Sequence, residues 1–440
     1  MSQMTHKMGF WSVFSLVIGS QIGSGVFMLP VNLAPFGKWS LIGWAISGIG
    51  AISLALVFAQ LCAWLPKTGG PHVYVQEAFG RYAAFFTGWT YWLISWISSA
   101  VVVIGSVAYL VPLIGYSSAM SNLLLQILLL TTVTLLNFRG AHVAGRAEFF
   151  LGMLKFVPLI LVPIFALCCF SWDNFIVSAQ VSTLSVSQIL SQVALLTFWC
   201  FVGVESATTP ANAVENPSVT IPRAVVAGTV CVALVYVINT LAIMGIIPGS
   251  ALVYSIAPYA DVVKTLFGGN WHLIISAIAS IVCISTLNVW TLTSGQIALG
   301  LAQDKLLPEL FGKTNKHSAP YLSLLVSYVG ISLLLMLTAH ESIAAQLFTI
   351  IEFSVIAFLF VYAVCCLSFF KLLLSRNESI VRLIPRVIYG MLALAFCSWV
   401  IYEQPLSTLL IASLFTLSGV PLAMRLARTP SSTTSSSSNH

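Results

Sequence analysis

Charged side chains are what this sequence lacks. Only 7% of its 440 residues are charged, 18 Lys and Arg with 12 Asp and Glu, whereas soluble domains carry roughly a quarter. That scarcity excludes a water-soluble globular fold. Positions 8 to 37, 39 to 66, 82 to 138, 174 to 204, 224 to 260 and 265 to 303 hold no charge at all. Each gap accommodates one or two helices of about 20 apolar residues, the length that crosses a bilayer. The runs are continuously apolar rather than alternating, which excludes the strands of an outer-membrane barrel.

Other absences are chemical. The cysteines (Cys62, Cys168, Cys169, Cys200, Cys231, Cys283, Cys365, Cys366 and Cys397) show no disulfide framework or Cys/His metal spacing. All fall within predicted helices, where they are expected to pack as small apolar residues. The apolar helices carry no HExxH, GxSxG or paired-aspartate pattern, so the chain offers no catalytic constellation and implies no metal or cofactor. A channel would need a selectivity ring, which the sequence does not suggest.

What is present is an all-α integral membrane pattern. Gly/Pro breaks and charge clusters cut the chain into twelve transmembrane helices near 9–36, 40–65, 82–112, 121–138, 147–170, 187–213, 221–247, 272–302, 320–339, 343–370, 384–402 and 405–425. With both termini cytoplasmic, 15 Lys and Arg lie inside and only Lys38 and Lys264 outside, as the positive-inside rule requires. Lys155 remains within a helix. The net charge of +6 thus reflects topology and implies no nucleic-acid partner. The amino-terminal run is too long for a signal-peptide core and reads as a first helix that stays. Residues 1–428 read as one transmembrane domain, and 429–440, "PSSTTSSSSNH" with the preceding Thr, as a low-complexity, disordered cytoplasmic tail.

Two helices are interrupted by small residues: the first by "QIGSGVF" (21–27), the sixth by "FVGVESATTP" (201–210). Glycine costs a helix about 1 kcal/mol relative to Ala. Irregular backbone at membrane depth is tolerated only where it lines a cavity or is buried in protein. Breaks five helices apart imply two inverted five-helix repeats, about 9–170 and 187–370, with a site between them. The competing reading of Gly23, Ser24 and Gly25 is a small-residue patch for close helix packing.

The stretches "IGSGVFMLPVNLA" (22–34), "GGPHVYVQEAFG" (69–80), "WCFVGVESA" (199–207), "VENPSVTIPRA" (214–224), "LAIMGIIPGSAL" (241–252) and "VWTLTSGQ" (289–296) resemble the amino acid-polyamine-organocation transporters. Within them the likeness is to the bacterial basic amino acid/polyamine antiporters, which exchange arginine for agmatine, lysine for cadaverine or putrescine for ornithine. The resemblance runs collinearly from about residue 8 to 425. It implies a leucine-transporter-type fold with 5+5 inverted repeats and broken helices 1 and 6, often dimeric, in a bacterial inner membrane. It also implies exchange of an external amino acid for its internal decarboxylated amine.

Carried over residue by residue, the resemblance puts Ile22, Ser24 and Gly25 at a substrate carboxylate and the carbonyls around Trp199 and Val202 at an α-amino group. It puts Trp290 against the cationic or aliphatic part of the substrate, although packing is the competing reading of that indole. Tyr91 and Trp92 become gate or site residues. Ser99 stands where the arginine exchanger has an asparagine, which argues against arginine.

Lys155, Glu205 and Glu352 lie well inside predicted helices, at a cost of about 2.5–3.5 kcal/mol each on insertion scales. By resemblance, Lys155 replaces a structural sodium, as in sodium-independent members, and favours proton coupling; snorkelling or pairing with an acid are alternatives. Glu205 matches the glutamate of "GVES", which implies proton sensing and gating, with its protonated form donating a hydrogen bond to freed backbone. Glu352 either faces the cavity, taking a distal ammonium or pairing with Lys155, or is a helix contact. Proton-coupled symport is the alternative mechanism, and a sensor built on the transport fold would look the same in sequence.

Overall fold

The computed structural model describes residues 7–67, 70–116, 118–140, 154–208, 214–376 and 379–427. The start of the helix expected over 147–170, Arg146, Arg428 and the 429–440 tail lie outside them. In chain order the helices are α1 (Phe10–Gln21), α2 (Ser24–Leu33), α3 (Trp39–Trp64), α4 (Pro71–Phe79), α5 (Arg81–Ile97), α6 (Ser99–Ile114), α7 (Ala119–Asn137), α8 (Phe156–Ala166) and α9 (Val186–Phe198). They continue as α10 (Pro217–Ile246), α11 (Pro258–Phe267), α12 (Trp271–Gln303), α13 (Tyr321–Thr338), α14 (Ile343–Leu374), α15 (Ile380–Tyr402), α16 (Leu406–Leu417) and α17 (Val420–Ala427). Among the described residues the only extended pairing is a bridge between Met8 and Val214.

Ten helical stretches are long and apolar enough to cross a membrane, and Phe156–Cys169 and Val186–Phe201 are two shorter apolar ones. Helices satisfy their own backbone bonds, which is what a hydrocarbon solvent demands. The span Arg81–Ile114 is interrupted at Ser98, between α5 and α6. There Ser95 Oγ donates to Trp92 O (2.7 Å), and both Ser98 Oγ (3.2 Å) and Ser99 Oγ (3.0 Å) donate to Ser95 O. Such back-bonding bends helices.

The most extensive packing is of α3 on α10 and of α6 on α12. Close approach depends on small residues: a Cβ on Gly228 of α10 would lie 2.6 Å from Val17 Cγ1 of α1. The last two spans sit at the periphery, with only 22% and 17% of their apolar windows buried. Exposed Ile388, Leu410 and Leu414 there would be a liability in water and are at home in lipid. Two of the cysteines depart from their expected place: Cys168 and Cys169 are exposed, because the helix gives way to a short 3-10 turn at Leu167–Cys169.

Candidate functional site

Helical bonding stops at Gln21 and resumes at Ser24, with Ile22 extended (φ −75°, ψ 101°). A helix that ends in apolar surroundings leaves carbonyls without partners, each costing about 1–3 kcal/mol if buried and unmet. Three other elements meet them. Lys155 Nζ donates to Gly19 O (2.9 Å), Tyr236 OH on α10 to Gln21 O (2.6 Å), and Thr286 Oγ1 on α12 to Ile22 O (3.3 Å). On the other side of the interruption, α2 begins with no side-chain cap. By helix geometry its first N–H groups, those of Ser24 and Gly25, have no carbonyl one turn back.

The second interruption follows α9. A 3-10 turn covers Trp199–Phe201, Val202 is extended (φ −60°, ψ 132°), and Gly203 takes φ +100°, a conformation that disfavours any side chain. The interruptions are joined: Ser20 Oγ donates to Gly203 O (3.3 Å) and Ser206 Oγ to Ser20 Oγ (2.7 Å). Gly25 lies so close to this segment that a Cβ there would come 2.5 Å from Cys200 Sγ and 3.2 Å from Trp199 Cδ1.

Between the interruptions is a cavity of about 20 Å³. Ser24, Gly25, Trp199, Val202 and Trp290, all singled out from the sequence, line it together. Its polar wall is neutral, made of Ser20, Gln21, Ser24, Ser98 and Thr286, and no acid or base among the described residues lines it. Gln21 Oε1 and Ser24 Oγ are buried without a hydrogen-bond partner among the described residues. A cavity of this size holds little more than a water, so a larger molecule can enter only when the walls part.

Glu205 is wholly buried, yet it is not part of that wall. Tyr91 OH on α5 donates to its Oε1 and Tyr362 OH on α14 to its Oε2, each at 2.6 Å. The turn after Gly203 thus brings the carboxylate to the hydroxyls of α5 and α14. Both its oxygens accept a tyrosine hydroxyl, as an ionised carboxylate does. Phe358 links the two sites, with ring centroids 6.2 Å from Trp290, 6.0 Å from Tyr91 and 6.0 Å from Tyr362.

Several other residues sit elsewhere than expected. Ile22 contributes a carbonyl to Thr286 and does not line the cavity. Ser98 lines it where Ser99 was expected, because neighbouring residues on a helix point about 100° apart. Trp92 is buried against Trp89 and Phe311, with centroids 5.4 Å from each. Glu352 is half-buried beside the Thr408 hydroxyl of α16 and does not line the cavity. Lys155 is buried on Gly19 O and does not snorkel. Sequence reading missed Gln21, Tyr236, Thr286, Phe358 and Tyr362. For all but Phe358 the available signal was a hydroxyl or amide within an apolar helix, and such residues recur throughout this chain.

The amino acid permease family model matches residues 8–428. The putrescine transporter PotE of Haemophilus influenzae is 27% identical over 420 residues, covering 95% of this chain and 97% of its own length. The cadaverine/lysine antiporter of Escherichia coli K12 is 31% identical over 336 residues, 75% of this chain and 74% of its own. The putrescine transporter PotE of Escherichia coli K12 is 29% identical over 359 residues, 80% of each. With nearly its whole length matched, the chain belongs to the amino acid permease family.

Proposed function

We propose that this chain is a secondary active transporter, not an enzyme, that exchanges an external amino acid of the basic class for an internal amino acid or its decarboxylated amine. The relatives' names, a putrescine transporter and a cadaverine/lysine antiporter, supply the substrate class. One observation carries the reading to this chain: the cavity at which the uncapped start of α2, the extended turn at Val202 and two indoles converge. Helix starts favour a carboxylate, freed carbonyls an ammonium, and an indole face a cation or methylene chain, about 2 kcal/mol when desolvated. Ser24 and Gly25 take the first role, Trp199 and Val202 the second and Trp290 the third. Glu352 falls outside this assignment.

The architecture in this reading is twelve transmembrane helices in 5+5 inverted repeats with helices 1 and 6 broken. Ten spans plus two shorter apolar helices support that count. So does the packing of α3 on α10 and α6 on α12, which are the second with the seventh and the third with the eighth helix. Residues 1–428 form the transporter, 429–440 a cytoplasmic tail, in a bacterial inner membrane as a homodimer with both termini inside.

Glu205 acts as the gate's proton site. Ionised, it holds α5 and α14 together through Tyr91 and Tyr362. Protonated, the carboxyl loses the charge that strengthens both bonds and gains an O–H that needs an acceptor of its own. Protonation therefore loosens this contact.

Proteoliposomes loaded in turn with radiolabelled arginine, lysine, ornithine and neutral amino acids test exchange: efflux is expected only with external substrate. Efflux driven by a pH gradient alone would replace exchange by proton-coupled symport. Lys155 on Gly19 O favours that second reading, because it places a titratable amine on the interrupted first helix.

A further inference from the structure

A second cavity of about 300 Å³ lies apart from the central site, among the start of α7, the connection from α13 to α14 and Ile256 just before α11. It falls within the size range of small-molecule pockets. Two helix starts open on it, each capped by a serine that lines it. Ser118 Oγ takes the Ser121 N–H (3.1 Å) and Ser342 Oγ the Ala345 N–H (3.3 Å). Helix starts favour an anion.

Beside them stand two groups that favour a cation. Glu341 is exposed and has no salt-bridge partner among the described residues. Gln346, only 4% exposed, donates through Nε2 to Thr338 O (2.5 Å) and Glu341 O (3.4 Å). Both are carbonyls, which can only accept, so the amide cannot be turned over. Its Oε1 is left buried without a partner among the described residues, an acceptor that calls for an N–H. Leu123, Ile256 and Ile343 supply an apolar wall.

A ligand that satisfies all three features carries a carboxylate, an ammonium and an apolar body. We infer that this cavity is a second amino acid site, distinct from the central one. The inference stands independently of the exchange reading, since it uses none of the central residues. Its consequence for transport runs along α14, which carries Gln346 at this cavity and Tyr362 at Glu205, about 24 Å further along at 1.5 Å per residue.

Equilibrium dialysis of radiolabelled lysine against the purified full-length protein tests it. Two sites per chain are expected. One should survive Trp290→Ala, resist displacement by cadaverine, which lacks the carboxylate, and weaken by about tenfold or more in Glu341→Gln and in Gln346→Leu. A single site per chain overturns the inference, as does a second site that is indifferent to both substitutions or equally displaced by cadaverine. Glu341 is exposed and its substitution leaves the fold intact, so it decides the matter if Gln346→Leu disturbs the α13–α14 turn. If Trp290→Ala removes neither site, the central assignment fails while this one stands.

Discussion

Replacing Tyr362 by Phe removes one hydroxyl and keeps a ring that packs on Phe58, Phe198 and Phe358. The lost bond is 2.6 Å long, at the short end of O–H···O distances. Its acceptor has one other side-chain partner, Tyr91, at the same distance. Hydrogen bonds to a charged group contribute about 1.5–3 kcal/mol, against about 0.5–1.5 for neutral pairs. Tyr362→Phe should therefore destabilise the protein by about 1.5–3 kcal/mol alone and by roughly 1 kcal/mol when Glu205 is already Gln. Equilibrium unfolding of the four proteins in mixed detergent micelles closes the double-mutant cycle, with an expected coupling of about 1 kcal/mol or more. Additivity within about 0.3–0.5 kcal/mol would refute a shared carboxylate. The same clamp makes Glu205→Gln transport with a flattened pH profile, and an unchanged profile would remove Glu205 from proton coupling.

Three further substitutions probe the rest of the site. Gly25→Ala places a methyl 2.5 Å from Cys200 Sγ; it should destabilise by about 1–3 kcal/mol and abolish exchange, with Cys200→Ala in the same chain restoring part of the stability. Lys155→Met leaves Gly19 O without its 2.9 Å donor and should cost about 1–3 kcal/mol in the same unfolding assay; no change would mean that water or another group takes over the carbonyl. Glu352→Gln should leave the apparent KM for a cationic substrate within about twofold, because the side chain faces Thr408 and not the cavity; a loss of tenfold, about 1.4 kcal/mol, would return it to the substrate.

The sequence by itself determined the solvent, the spans and the place of the interruptions. Those are local, additive properties: charge-free runs report hydrocarbon, Lys and Arg report a side, and "QIGSG" and "VGVES" report backbone that cannot continue as a helix. The same logic made Ser24, Gly25, Trp199, Val202 and Trp290 legible, since they sit at or beside those interruptions or within a quoted stretch. Which group meets which was decided by the tertiary structure. Successive residues on a helix point about 100° apart, so a small error of phase exchanges Ser99 for Ser98 at the cavity and turns Glu352 toward Thr408. Glu205 was plain as a buried charge, but its two tyrosines come from α5 and α14, 114 and 157 residues away. Nothing local marks Tyr362, because its role exists only once three helices are packed.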